Sequence, residues 1–232
     1  MAADAHPSFE VATIKPARPG NLKGGFTVGG HLIYIENQSV EDLLWFAYGV
    51  HAKQIVDGPA WLETQSFDIV GQADLDGIPN LQQTQEMVQK LLESRLSLKL
   101  HREKRDLSIY AIEVAKGGPK LVRSAERPDA LPTQSGGGSG GERARKFTNN
   151  SMSDFALGMQ SFLDRPVVDE TGLTGKYDFV LKWTPDETES TDPHAAPGIF
   201  TAVQEQLGLK LEPTRGPTDV LVIDHVERPS EN

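Results

Sequence analysis

Asn37-Gln-Ser39-Val-Glu-Asp42-Leu43 and Asn149-Asn-Ser151-Met-Ser-Asp154-Phe155 carry one pattern, written twice at a distance of 112 residues. In each, a serine precedes a helix-forming run and an aspartate follows three residues later. That spacing predicts a helix start, a capping box with Asp in place of Glu. After the first serine, Leu43, Leu44, Phe46, Ala47 and Val50 recur at helical spacing; after the second, Phe155, Met159 and Phe162 do so. Four more blocks follow in the same order. Ile55-Val-Asp57 is matched by Val167-Val-Asp169, and Phe67-Asp-Ile-Val70 by Tyr177-Asp-Phe-Val180. Leu98-Lys-Leu100 is matched by Leu209-Lys-Leu211, and Ile109-Tyr-Ala-Ile112 by Val220-Leu-Val-Ile223. Offsets stay between 110 and 112. Apolar residues are common enough to coincide, but five ordered blocks at nearly one offset predict an internal duplication.

Working outward, each copy reads as strand, helix, hairpin, helix, hairpin. The leading strands are Leu32 to Glu36 and Arg145 to Thr148. The middle strands are Gln54 to Asp57 with Ser66 to Gly71, and Pro166 to Asp169 with Lys176 to Trp183. Second helices follow at Gln82 to Leu96 and Ile199 to Leu207. Closing hairpins are expected from Ser97 to His101 with Ser108 to Val114, and from Lys210 to Glu212 with Asp219 to Val226. Such alternation predicts an α+β fold, a duplicated strand-helix-hairpin-helix-hairpin module with helices on one face of each sheet. The segment Phe9 to Lys15 alternates like a strand and has no visible counterpart in the second copy.

The expected domain plan is a disordered start over 1–8, a first copy over 9–123 and a linker over 124–144. A second copy then runs over 145–232, with a polar insertion at 185–197. The linker reading rests on two prolines, Pro128 and Pro132, and on Gly136-Gly-Gly-Ser-Gly-Gly141, which buries little and should be mobile.

Composition narrows the function. The 232 residues carry a net charge of −10, which repels phosphate backbones and anionic lipid, so neither nucleic acid nor membrane insertion is expected. No apolar run approaches the roughly 20 residues a bilayer requires. Cysteine is absent, so there is no disulfide, thiolate nucleophile or cysteine metal site.

Six histidines occur, none in an HxxxH or HExxH pair. His101 heads the charged run His101-Arg-Glu-Lys-Arg105 at an expected hairpin bend, and His225 follows Asp224 near the end of the last strand. These two are the catalytic candidates. Adjacent strand residues face opposite ways, which argues against a direct Asp224–His225 dyad. Gly137-Gly-Ser139-Gly-Gly141 has the letters of a nucleophile elbow but not its strand-to-helix setting. Asp74 and Asp76, in Asp74-Leu-Asp76-Gly77, are the candidate metal ligands. They resemble a shortened calcium loop without the distal glutamate, and also an ordinary turn. No cofactor is expected, calcium being the one ion that acidic turns suit. Trp61, after Gly58-Pro59, is a candidate groove-lining residue, and equally a tryptophan folded over a sheet edge.

Several motifs carry a family resemblance: Phe9-Glu-Val-Ala-Thr-Ile-Lys-Pro16, Gly58-Pro-Ala-Trp61, Leu100-His-Arg-Glu103 and Ala115-Lys-Gly-Gly-Pro-Lys-Leu121. Arg165-Pro-Val-Val-Asp169 through Phe179 and Val222-Ile-Asp-His-Val-Glu-Arg-Pro229 complete the set. Over nearly the whole chain the sequence resembles the uncharacterised soil-associated proteins of certain soil bacteria. That resemblance implies export to the periplasm or beyond, with the start read as a start codon before a mature sequence. By pattern, each copy also resembles the short N-terminal domain of secretins and TonB-dependent receptors, down to Leu207-Gly-Leu209 at a hairpin entry. The second resemblance implies a protein-interaction module. The expected function is therefore an exported binding module for a protein, peptide or glycan partner of the envelope. The alternative is a small hydrolase for an ester or lactone, with bound calcium polarising the carbonyl.

Overall fold

The computed structural model describes residues 6–18, 24–75, 77–126, 130, 132–139, 141–185 and 196–229. The chain forms β1 (Phe9–Pro16), β2 (Gly25–Gly29), β3 (Leu32–Ser39), α1 (Val40–Tyr48), β4 (Ile55–Val56), α2 (Trp61–Thr64), β5 (Ser66–Ala73), α3 (Leu81–Arg95) and β6 (Lys99–Val114). It continues through β7 (Val122–Arg123), β8 (Thr133–Ser139), β9 (Glu142–Asn150), α4 (Met152–Met159), β10 (Val167–Asp169), β11 (Tyr177–Trp183), α5 (Ile199–Leu207) and β12 (Leu209–His225). The class is α+β, with three four-stranded sheets. Two compact units result: one runs to Arg105 and resumes at Pro217, the other is Asp106–Gly216.

In the first unit, an antiparallel sheet runs in the order β1-β5-β3-β2. Its inward residues Ile33, Ile35 and Ile69 pack under Leu43, Leu44 and Ala47 of α1 and Met87, Val88 and Leu92 of α3. Each of these buried side chains is worth about 1.5–3 kcal/mol in area removed from water, alanine less. In the second unit the order is β7-β11-β9-β8. There Phe147, Phe155 and Phe179 form an aromatic centre with ring centroids 4.8–5.2 Å apart. Met159, Leu181, Ala202 and Val203 close around it.

The two serine patterns fold alike. Ser39 and Ser151 accept the amides of Asp42 and Asp154 at 3.0 and 3.1 Å, and the aspartates return bonds to the serine amides. Just before each cap stands an asparagine with positive φ, Asn37 at 48° and Asn149 at 57°. Asparagine tolerates that region better than most residues. The turned amides of Asn37 and Asn149 donate to Asp68 Oδ1 and Asp178 Oδ1, each at 2.8 Å. Two of the sequence blocks are thus bonded to each other within each unit.

Several expectations are corrected. No hairpin closes at Ser97–Val114 or at Lys210–Val226: residues 99–114 and 209–225 are each one unbroken strand. The charged run stays extended because its side chains find partners across neighbouring segments, Lys104 on Asp219 at 3.1 Å and Arg105 on Asp57 at 2.7 Å. Val220 to Ile223, wholly buried, complete the first unit, where β4 lies parallel to β12. Ile109 to Ile112 serve the second, where β10 lies parallel to β6. The stretch expected to be a mobile linker, 124–144, contains the whole of β8, paired along its length with β9. Glycine there offers no side chain for a core, but its backbone satisfies a ladder as well as any other residue. Residues 127–129, 131 and 140 of that stretch lie outside the described residues, as do 186–195 of the polar insertion and 1–5 of the start. Of the expected frayed start, His6 bonds Glu86 at 3.0 Å and Ser8 donates to Asp74 at 2.7 Å. Phe9–Pro16 pairs with β5, and in the second unit the two-residue β7 takes the same place beside β11.

Two outcomes follow. Ile223→Ala, at the far end of the chain, should destabilise the first unit by about 2–5 kcal/mol, read by denaturant unfolding. A loss under about 1 kcal/mol would place the last strand outside that core. The Asn149 amide, and after it the Ser124 hydroxyl, hold the Asp178 carboxyl below its ordinary range. A depressed carboxylate stabilises above its unfolded pKa and stops doing so as pH falls through the lower folded value. Asp178→Ala should therefore lower the melting temperature near neutrality. Its gap to the wild type should begin to close below about pH 4.

Candidate binding site

Arg143 and Arg145 lie two residues apart on β9, so both project from one face, the face that also carries buried Phe147. On one side their strand neighbours are Trp183 and Leu181 of β11, opposite Arg143 and Arg145 respectively. On the other side they are Gly138 and Gly136 of β8. Glycine leaves this row without a side chain. The space is a cleft of about 330 Å³ between the glycine strand, the two arginines, Trp183 and Phe162.

Phe162 arrives from the 3₁₀ turn Gln160–Phe162 that ends α4. Its ring meets Trp183 edge-on, centroids 4.9 Å apart and planes at 67°. The guanidinium carbons of Arg145 and Arg143 lie 5.1 and 5.7 Å from the same ring centre. Such contacts contribute about 0.5–2 kcal/mol each. They do not supply the hydrogen bond that a buried guanidinium nitrogen requires. Arg145 Nε is buried without a hydrogen-bond partner among the described residues. Burial lowers the pKa of Arg145 from its ordinary value. No carboxylate forms an ion pair with Arg143 or Arg145 among the described residues. Two like charges held near one ring, one of them half-buried, cost free energy that an anion in the cleft would return. Planar guanidinium donors match a carboxylate or phosphate group, and the ring walls suit a flat apolar body.

A comparison within the chain sharpens the point. In the first unit, the sheet row β5-β3-β2 holds Gly71, Ile33 and Val28. Ile33 is fully buried. The matching row β11-β9-β8 of the second unit holds Leu181, Arg145 and Gly136. A cation with a glycine beside it stands where the same sheet order elsewhere carries a core isoleucine.

The residues singled out by sequence sit elsewhere. His101 is mid-strand rather than at a bend, and its Nδ1 meets Asp224 Oδ1 at 2.9 Å. Its Nε2 lies 3.9 Å from Glu103. His225 pairs with Glu227 at 3.0 Å. Arg105 bonds both Glu103 and Asp57, and its hydrogen bond is the main reason the Asp57 carboxyl titrates below its usual range. Trp61 opens α2 and lies under the guanidinium of Arg228, 5.3 Å from ring centre to Cζ. Both oxygens of Asp74 are engaged by Ser8, at 2.7 and 2.5 Å, and Asp76 lies outside the described residues. Among the described residues no three histidine or acidic side chains converge as metal ligands. A strand does lead to Ser139, but the chain then enters β9 rather than a helix. Sequence reasoning placed Arg145 on a strand and passed over it. The available signal was the alternating Arg143-Ala-Arg145 in an otherwise acidic chain.

The family model described as "Protein of unknown function (DUF3738)" matches residues 41–226. No curated protein and no solved structure was found to match the chain.

If Arg145 is held in place for a ligand rather than for stability, Arg145→Met should leave the melting temperature unchanged or raise it. A fall of several degrees would mean that the guanidinium serves the fold.

Proposed function

The chain belongs to the DUF3738 family, and we propose that it is an exported, two-unit binding protein whose second unit receives an anionic group between Arg143 and Arg145. The observation that carries this reading is Arg145 itself, half-buried, with its Nε lacking a hydrogen-bond partner among the described residues, at a row position where the first unit has a core isoleucine. Fold stability alone favours an apolar residue there. The ligand is an organic anion with a carboxylate or phosphate for the arginines and an apolar portion for Phe162 and Trp183.

Two further parts of the reading stand behind this one. The units are copies of a single module, as the paired serine caps, turned asparagines and equal sheet orders support. Each copy's closing strand completes the other unit, as the division of the chain at 105 and 217 supports. The likeness to the short N-terminal domain of secretins and TonB-dependent receptors belongs to the same proposal, and with it an envelope partner.

The test is calorimetric titration of the full chain with glutarate, benzoate and inorganic phosphate at low and high salt. Binding of at least one anion is expected, weakened by salt. In Arg145→Met or Arg143→Met it should fall about tenfold to a hundredfold, the loss of one charged hydrogen bond of about 1.5–3 kcal/mol. Wild-type affinity in both variants, or no anion bound at millimolar concentration, would overturn the reading.

A hydrolytic second reading has one observation in its favour. Asp224 engages His101 Nδ1 and so orients the imidazole as a base would require. It calls for turnover of an activated ester that is lost in His101→Asn. Unchanged turnover in that variant removes it.

A further inference from the structure

β8 ends its sheet: the order β7-β11-β9-β8 leaves one long side of Thr133–Ser139 without a strand neighbour among the described residues. Natural edges are guarded by charge, proline, brevity or a bulge. This edge is seven residues long, Thr-Gln-Ser-Gly-Gly-Gly-Ser, with neither charge nor proline, and its pairing with β9 is regular throughout. Consecutive glycines weaken a strand, and one of the things they mark is the close approach of a ligand or another backbone. A Cβ on Gly136 would collide with the backbone of Ala144 and Arg145, so the row admits no side chain there, while Gly137 faces open space.

Charge and spacing then select the occupant. A strand added beyond β8 would lie two strand spacings from β9, about 9.6 Å. With a glycine between, a long acidic side chain on that strand and an arginine on β9 can meet above the sheet. Arg143 and Arg145 repeat every second residue, the period of side chains on one face of a strand. Acidic residues at alternate positions of an added strand would present their carboxylates at the same interval.

We propose that β8 is the acceptor edge for an extended acidic peptide segment, added as a further strand, whose alternate Glu or Asp side chains reach Arg143 and Arg145 across Gly138 and Gly136. Main-chain bonds to the edge supply affinity, and the arginine row supplies selection for acid. The inference rests on the anion-binding reading of the cleft and deepens it by naming the partner's form.

The experiment uses the full chain and four probes. These are a fluorescein-labelled peptide with Glu at alternate positions among Thr and Val, the same peptide with Gln for Glu, an alternately N-methylated Glu peptide, and free glutarate. N-methylation removes backbone donors and keeps the charge. The Glu peptide should bind at least tenfold tighter than each of the other three, lose that advantage in Arg143→Met/Arg145→Met, and slow amide exchange at 133–139. If the N-methylated peptide and glutarate bind as well as the Glu peptide, strand addition is wrong and the anion cleft stands. If the Gln peptide binds as well as the Glu peptide and the double variant changes nothing, both readings fall. Melting curves of the double variant separate a binding defect from misfolding.

Discussion

Each unit depends on one corner. At Asn37 and again at Asn149 the strand takes a left-handed step at a break in its pairing register and gives way to a helix within three residues. A step of this kind exposes amides that neither the sheet ladder nor the helix can use. An aspartate from the next strand, Asp68 or Asp178, takes the asparagine amide. The following serine hydroxyl takes a helix amide, and the aspartate three residues on takes the serine's own amide. With the corner satisfied, α1 and α4 lie across their sheets, and the apolar faces of both are buried. A cap of this type contributes about 1 kcal/mol. Its larger effect is geometric, because the angle at which the chain enters the helix decides which side chains reach the core.

The two units differ in the rows before that corner. Both have the same pattern of sheet order, with β3 or β9 beside the edge strand. In the first unit Phe26 on the edge strand stacks on Phe46 at 4.2 Å, and the row beyond is filled by Val28 and Ile33. In the second unit the row beyond Gln134 and Phe147 is emptied by glycine and recharged by arginine. On the same sheet order, a row that holds Val28 and Ile33 in one unit holds Gly136 and Arg145 beside a cleft in the other. Gln134 still ties the edge strand to the helix, donating to Asn150 Oδ1 and to the carbonyl of Asp154 at 3.1 and 3.0 Å.

The charged groups on β6 have a simpler account. Lys104 with Asp219, Arg105 with Asp57 and Glu103, and His101 with Asp224 all involve largely exposed side chains. Exposed pairs contribute about 0–1 kcal/mol each. Their effect is to keep a charged segment extended where a turn would otherwise compete. Arg145 is a different case: it is half-buried, and its buried Nε has no hydrogen-bond partner among the described residues.

By itself, the sequence determined the local elements. Serine caps, the strand of Phe67 to Val70 and the apolar stripe of Met87, Val88, Leu91 and Leu92 are short-range physics, set by residues within a few positions of one another. All of these lie where their spacing puts them. The candidate site was hidden because its parts are ordinary one at a time: a glycine tract, an Arg-x-Arg strand and a phenylalanine after a helix. Only the pairing of β8 with β9 sets Gly136 beside Arg145, and only the 3₁₀ turn brings Phe162 over both arginines. Strand partners were likewise a tertiary decision. Pro213 to Pro217 has the residues of a turn, yet the chain runs through it extended. Burial of Val220 to Ile223 outweighs a local turn preference.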